Sequence, residues 1–409
     1  MACSAWVRVI LPSSAGSALP IAIVALALGA FGIGLAEFAV MGLLPDIATD
    51  LAVSLSTAGN LVTAYAVGVV VGAPLLTAAA VRLQRRTALL WFMGLFAAGN
   101  ALAGIAPNLG LLLVARFLSG LPHGAFIGVG ALVATSLVPV ERRSSAVASM
   151  TLGVTLANVV GVPATTVIGG FAGWRMSFGV IAGIGLLCVA AIAATVPRRT
   201  TTQRPSLSAE LVALRRPAVL LVLSVVVLGA SGMFAFYTFI TPTLTDRTGF
   251  GSAVIPILLM VCGLGMTAGT IVGGMLSDRF GPRRVVVALL AAQAVLLTVA
   301  VFAMRSPIVA PVLVFAVGAV GLGFFPPVQS MVMQAAGDAS TLASAAIQSA
   351  FNVANALGAS LGGLALAAGL GLAAPPAAGA VLSVLGLVPA LMMVAMARRT
   401  NRPAAVLPE

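Results

Sequence analysis

An all-α polytopic membrane protein, with twelve transmembrane helices in two pseudo-symmetric six-helix halves, is the fold class this sequence predicts. Three observations carry the prediction: an extreme composition, apolar runs of bilayer-crossing length, and echoes between the two halves of the chain. Of 409 residues, 61% are hydrophobic and 7% are charged, and the mean hydropathy is +1.17; soluble domains carry about 25% charged residues. Runs of about 20 apolar residues, enough to cross a bilayer core, recur from end to end. Lipid cannot satisfy backbone polar groups, and these runs lack the alternation of barrel strands, so helices are expected.

The first helix is expected over 21–43, with Asp46 and Asp50 beyond it in a solvated loop or a capping role. The second, 59–80, and the third, 88–106, are separated by Arg82, Arg85 and Arg86. The fourth, 110–137, contains Arg116 and His123 and gives way to Arg142 and Arg143. The fifth, 146–170, and the sixth, 176–196, flank Arg175. The longest connection, 197–217, contains Pro197, Gln203, Pro205, Glu210 and five arginines, and reads as a cytoplasmic linker. The seventh and eighth, 218–240 and 253–276, flank Arg247; Asp278, Arg279, Arg283 and Arg284 then precede the ninth, 285–304. Arg305 comes before the tenth, 308–334, and Asp338 before the eleventh, 341–367, while the twelfth, 376–397, ends at Arg398, Arg399 and Arg402. The organisation is therefore an N-terminal cytoplasmic tail, 1–20, a first bundle, 21–196, the linker, a second bundle, 218–397, and a cytoplasmic tail, 398–409. Helix one reads as an uncleaved insertion signal.

All 21 basic residues are arginine, and the net charge of +12 does not gather on one soluble face, which argues against a nucleic-acid partner. With the N-terminus in the cytoplasm, seventeen arginines fall inside; Arg175, Arg247 and Arg305 fall outside, and Arg116 lies within the membrane. The positive-inside rule then puts both termini in the cytoplasm. The lack of lysine and the dominance of alanine, glycine, valine and arginine suit a GC-rich bacterial genome, hence a bacterial cell membrane. Cys3, Cys188 and Cys262 have no metal-ligand spacing and no disulfide framework. No metal or cofactor is expected, and no oligomerisation device is visible, so a monomer is the default.

Arg116 is a permanent charge inside an apolar run. At about 100° per residue, positions 116, 120 and 123 share one helix face. Intramembrane charges face a bundle interior or a water-filled cavity, which points to a polar route. His123 is the chain's single histidine; it reads either as a proton relay, because imidazole titrates near neutrality, or as a residue bonded to a backbone carbonyl. Internal repeats support duplication. Arg85-Arg86 and Arg283-Arg284 each close the loop after the second helix of a half, with Gly120 and Gly318 following at equal distance. Ala157-Asn158-Val159-Val160-Gly161 is echoed by Ala354-Asn355-Ala356-Leu357-Gly358. Such duplicated bundles can rock about a midplane site.

Gly274 to Arg284 resembles the cytoplasmic G-x-L-x-D-R-x-G loop of the major facilitator superfamily, and the resemblance covers nearly the whole chain. It implies the major facilitator fold, with Asp278, Arg279, Arg283 and Arg284 as gating residues. The N-terminal copy departs from the pattern: Thr77, Val81 and Gln84 stand at the two glycines and the aspartate, leaving Arg82, Arg85 and Arg86, which read as gating residues or as topology anchors. Arg116-Phe117-Leu118-Ser119-Gly120 is similar to the fourth-helix R-x-x-x-G of proton-coupled members. Gly153 through Gly170, with Gly161-Val162-Pro163, is similar to the fifth-helix glycine-proline motif of antiporters, with Thr165 and Thr166 where a glycine is often found. Glu37-Phe38, Met41 to Pro45, His123 to Phe126 and Gly173-Trp174-Arg175 look like the twelve-helix drug:proton antiporter branch, which includes arabinose-efflux and chloramphenicol-resistance type exporters. The resemblance implies efflux driven by the proton gradient.

Glu37 lies about 24 Å along helix one and Arg116 about 9 Å into helix four, at 1.5 Å per residue, so both belong to the outer half of the membrane and a direct pair is geometrically possible. A change in their separation would change the carboxyl's hold on a proton. Glu37 is therefore the expected proton carrier and Arg116 its electrostatic partner, the alternative being a permanent structural ion pair. Candidate substrate contacts are Asn60, Tyr65, Asn158, Tyr237, Gln329, Gln348, Asn352 and Asn355; buried amides need partners, so some must bond between helices instead. No acid lies in mid-helix beyond helix six, which favours a small neutral or amphipathic solute, such as a chloramphenicol-like drug, over a strong cation. Efflux of a sugar or nucleoside-like metabolite, or a non-transporting sensor, are the alternatives. An enzyme is not expected, because neither a nucleophile–base pair nor H-E-x-x-H occurs.

Overall fold

The computed structural model describes residues 21–80, 83–198, 216–336 and 340–400. Among these, twelve helices are long and apolar enough to span a membrane: α1 (Ile21–Asp50), α2 (Leu55–Ala80), α3 (Arg85–Gly104), α4 (Leu109–Ser136), α5 (Val140–Ala172), α6 (Trp174–Thr195), α7 (Pro217–Thr238), α8 (Ser252–Phe280), α9 (Pro282–Ala303) and α10 (Val309–Ala335), then α11 (Ser340–Ala367) and α12 (Ala374–Thr400). Alternation of direction puts the connections after α2, α4, α6, α8 and α10 at one end, the arginine-rich end.

Helices run further than their apolar cores. α1 continues past Pro45 to Asp50, so Asp46 and Asp50 lie on the helix rather than in a loop. Proline has no N–H to give the carbonyl four residues back, and here that carbonyl, Met41 O, is taken by Thr241 Oγ1 at 2.7 Å. The hydrogen bonding of the helix is thus completed by a neighbour, as helices in lipid require. α5 begins with a 3₁₀ turn, Val140–Arg142, and contains a π turn, Ala157–Gly161, closed by Val162 N–H to Ala157 O just before Pro163. α7 runs into a bent extension, Ile240–Pro242, followed by a second π turn, Thr243–Arg247.

Packing follows a repeated scheme. α1 lies on α5 and α6, α2 on α4, and α3 on α6; six helices later α7 lies on α11 and α12, α8 on α10, and α9 on α12. The two sets meet along α2 and α11, along α5 and α8, and where α1 touches the α7 extension. Small residues set these approaches. A Cβ on Gly120 would stand 2.3 Å from Tyr65 O of α2, and one on Gly318 would stand 2.7 Å from Cys262 O of α8, so the sequence echo is an echo in packing. A Cβ on Gly153 would stand 2.1 Å from Ala27 O of α1, whereas Gly161 meets the side chains of Phe31 and Leu35.

Candidate functional site

Tyr65 of α2 is the hub of the site, and three residues of α4 converge on it. The Arg116 guanidinium lies 4.3 Å from its ring centroid, Gly120 packs on its carbonyl, and His123 Nδ1 is 3.2 Å from its hydroxyl. α4 is interrupted at Leu121-Pro122, between Leu109–Gly120 and His123–Ser136, yet both pieces keep this face toward α2.

Arg116 is fully buried at 0% exposure. Its Nη1 donates to Ala36 O at 2.8 Å and its Nε to Leu61 O at 3.4 Å, while Nη2 is enclosed without a partner. Among the described residues no carboxylate lies within 4.0 Å of the guanidinium, which is held by carbonyls and an aromatic face and has no ion-pair partner. The direct Glu37–Arg116 pair entertained from the sequence is not formed. Arg116 is bonded to the carbonyl next to Glu37, and Glu37 accepts instead from Asn355 Nδ2 of α11, at 3.5 Å.

His123 bridges the two sets of helices. With Gln348 Nε2 of α11 donating to His123 Nε2 at 3.3 Å, the ring proton sits on Nδ1 and goes to Tyr65 Oη, whose own hydrogen reaches Ile33 O at 3.4 Å. The result is a continuous chain from α11 through α4 and α2 to α1. Thr63 Oγ1 to Ser360 Oγ, 3.1 Å, and Thr241 Oγ1 to Met41 O add further cross-links. Apart from Gln348, in the first third of α11, the residues in these contacts lie at mid-helix or toward the end opposite the arginine-rich one. Toward the arginine-rich end there are instead open recesses of about 440 Å³, lined by Thr135, Arg143, Ser144 and Thr151, and about 520 Å³, lined by Phe325, Gln329, Met333 and Gln334.

The remaining candidates divide. Asn158 sits in the π turn, where Nδ2 bonds Val154 O at 3.1 Å and Oδ1 is enclosed without a partner. Asn352 does the same with Gln348 O, also at 3.1 Å. Tyr237 packs edge-on to Phe38 at 5.9 Å, and Phe38 stacks on Phe234 at 6.5 Å, so α1 and α7 meet through aromatics. Gln329 lies on the recess away from this cluster, and Asn60 is exposed on α2.

At the arginine-rich end, Arg85 and Arg86 donate to Leu132 O and Ala193 O, near the C-termini of α4 and α6, where carbonyl dipoles favour cations. Arg82 lies outside the described residues. Asp278, Arg279, Arg283 and Arg284 are exposed, with the Arg279 guanidinium 5.2 Å from the Phe280 ring centroid. Gly281 carries the α8–α9 turn at φ +84°, a conformation that suits glycine. Gln84, at the same motif position, is extended at φ −63°, so the first copy lacks that turn. Asp50, set aside from the sequence as a loop residue, pairs with Arg175 at 2.6 Å and accepts from Trp174 Nε1 at 3.1 Å. The Trp174-Arg175 dipeptide was the available signal; its partner was obscured by ending α1 too early.

The protein-family description Major Facilitator Superfamily matches residues 26–274 and again 225–409. The chain is 42% identical over 377 residues to the inner membrane transport protein YdhP of Escherichia coli K12, covering 92% of this chain and 96% of that one. It is 34% identical over 346 residues to a chloramphenicol resistance protein of Streptomyces lividans, covering 83% and 88%. Among solved structures it is similar, with a TM-score of 0.71 and 15% identity, to a bacterial homologue of the human lysosomal transporter Spinster in an inward-facing, unoccupied conformation, covering 95% of this chain and 100% of that one. At that identity the likeness is one of fold.

Proposed function

Because the chain belongs to the major facilitator superfamily and is therefore a multi-pass membrane transporter rather than an enzyme, we propose that it is a proton-coupled exporter of a small neutral or amphipathic solute. Two six-helix halves, α1–α6 and α7–α12, rock about the Glu37–Tyr65–His123 level, with both termini in the cytoplasm.

The observation that carries the reading is the composition of the interface at mid-membrane. Among the described residues, the one acid at mid-membrane and the chain's one histidine both face α11 of the opposite half, through Asn355 and Gln348. Groups that exchange protons thus sit where the halves must separate. Glu37 is the carrier, His123 and Tyr65 relay or orient, and Arg116 supplies a fixed positive charge whose free Nη2 is available to Glu37 when α1 shifts. The similarity to a chloramphenicol resistance protein supports a drug-like solute. An aromatic wall of Phe38, Phe234 and Tyr237 with few charges suits such a molecule.

Substrate-evoked proton release in everted membrane vesicles tests this across amphenicols, sugars, nucleosides and dyes. Release evoked by one class and abolished in Glu37→Gln is the expected result. Release that survives the substitution removes Glu37 as the carrier, and silence across the panel removes the exporter reading; a sugar or nucleoside response replaces the drug with a metabolite.

A further inference from the structure

Three buried asparagines lie in the spans at or beyond the π turn, and one of them behaves differently. Asn158 and Asn352 each spend their amide N–H on the carbonyl four residues back in their own helix. Asn355, fully buried at 0% exposure, reaches across the interface to Glu37. Its bond is long, 3.5 Å from Nδ2 to Oε1, and its Oδ1 is enclosed with no partner. An ionised carboxylate has no hydrogen to offer that oxygen, whereas a neutral carboxyl has one.

A carboxylic acid beside a primary amide can form two antiparallel hydrogen bonds. The acid O–H goes to the amide oxygen, and the amide N–H goes to the acid's carbonyl oxygen. The second of these is already directed here. We propose that Asn355 is a positioning residue that reads the proton on Glu37 and converts it into contact between the halves. When Glu37 takes a proton from water onto Oε2, that O–H donates to Asn355 Oδ1 while Nδ2 donates to Oε1, and α1 is tied to α11 by two bonds. When the proton returns to water, Oδ1 is left unsatisfied and the tie falls back to one long contact. Proton loss therefore loosens the closed end, and proton uptake seals it.

This rests on the reading of Glu37 as the proton carrier. The other titratable or charged groups around it make their hydrogen bonds elsewhere, while the Arg116 charge acts on Glu37 through space. Arg116 of α4 is bonded to Ala36 O, Tyr65 of α2 and His123 of α4 are bonded to each other, and Cys188 of α6 donates to Ala25 O. Tyr237 of α7 packs on Phe38, and Cys262 of α8 is buried.

Infrared difference spectra of the full-length protein in lipid, recorded across a pH step, read the C=O stretch of a protonated carboxyl, and Glu37→Gln identifies the Glu37 band by its loss. The expected result is a low-wavenumber, doubly bonded acid in the native protein, moved to higher wavenumber in Asn355→Leu and moved back in Asn355→Gln, which keeps the amide. Spin labels at Thr49 and Leu370, in a background without Cys3, Cys188 and Cys262, should report a distance that depends on pH in the native protein and not in Asn355→Leu. Asn355→Ala replaces the leucine variant if that one does not fold. An unmoved band and an unchanged pH response in the folded variant overturn the proposal while leaving the carrier reading intact. A spectrum and proton release unaffected by Glu37→Gln overturn the carrier reading, and the proposal with it.

Discussion

Adding one carbon at Gly120 should damage this protein more than its size suggests. A Cβ there would sit 2.3 Å from Tyr65 O and 3.1 Å from Tyr65 C, whereas ordinary contact begins at 3.4 Å. The shortfall is about 1.1 Å, and it falls on the backbone, so no side-chain rotation relieves it. α2 and α4 must part by that amount. The same displacement carries Tyr65 Oη, now 3.2 Å from His123 Nδ1, beyond hydrogen-bond reach. Overpacking of this kind costs about 1–3 kcal/mol, offset by up to about 1 kcal/mol from replacing a helical glycine with alanine. Gly128, exposed on the same helix with no atom within 4 Å of its ideal Cβ, is the control, and Gly128→Ala should be neutral or slightly stabilising. Unfolding is read with a thiol-reactive dye, since Cys188 and Cys262 are buried and free, in a Cys3→Ser background. Gly120→Ala should melt earlier than the control and lose substrate-evoked proton release. Equal melting and native transport in both variants refute the reasoning.

Arg116→Lys should fail to rescue function, because an ammonium cannot donate to Ala36 O and Leu61 O while stacking on Tyr65. Losing one hydrogen bond from a charged group, about 1.5–3 kcal/mol, predicts exchange slowed about tenfold or more; native rates in vesicles contradict it. Pro163→Ala restores an N–H that can reach Val159 O, so the π turn holding Asn158 should regularise. Higher thermal stability with reduced transport is expected, and unchanged transport argues against a working role for the turn. Thr63→Cys combined with Ser360→Cys, at hydroxyls 3.1 Å apart, should form a disulfide that stops transport until reduced, because sulfurs that replace these oxygens start close to one another. Turnover by the oxidised protein excludes separation of α2 from α11 in the cycle.

The number of spans and their order were legible because a bilayer imposes one length and one polarity on every crossing. Helix ends were less so. α1 runs to Asp50 because Thr241, 200 residues away, takes the carbonyl that Pro45 leaves free, and hydropathy carries no trace of that bond. Arg116, His123 and Glu37 stood out as rare polar residues in apolar runs, since such residues are expensive in lipid. Their partners did not. Spacing along two helices allowed a Glu37–Arg116 pair, yet rotation and tilt place the guanidinium on the neighbouring carbonyl instead.

By itself, then, the chain determines a twelve-helix membrane protein, its arginine-rich end, and the few polar residues at mid-depth. Each follows from transfer free energies that act on one residue or one segment at a time. Only the tertiary structure decides which of these residues meet: Asn355 with Glu37, Gln348 with His123, and Asp50 with Arg175. Two of those pairs join segments more than 200 residues apart, through contacts of 3.5 and 3.3 Å. Such contacts depend on how helices rotate and how closely glycines let them approach, and sequence periodicity leaves both unspecified.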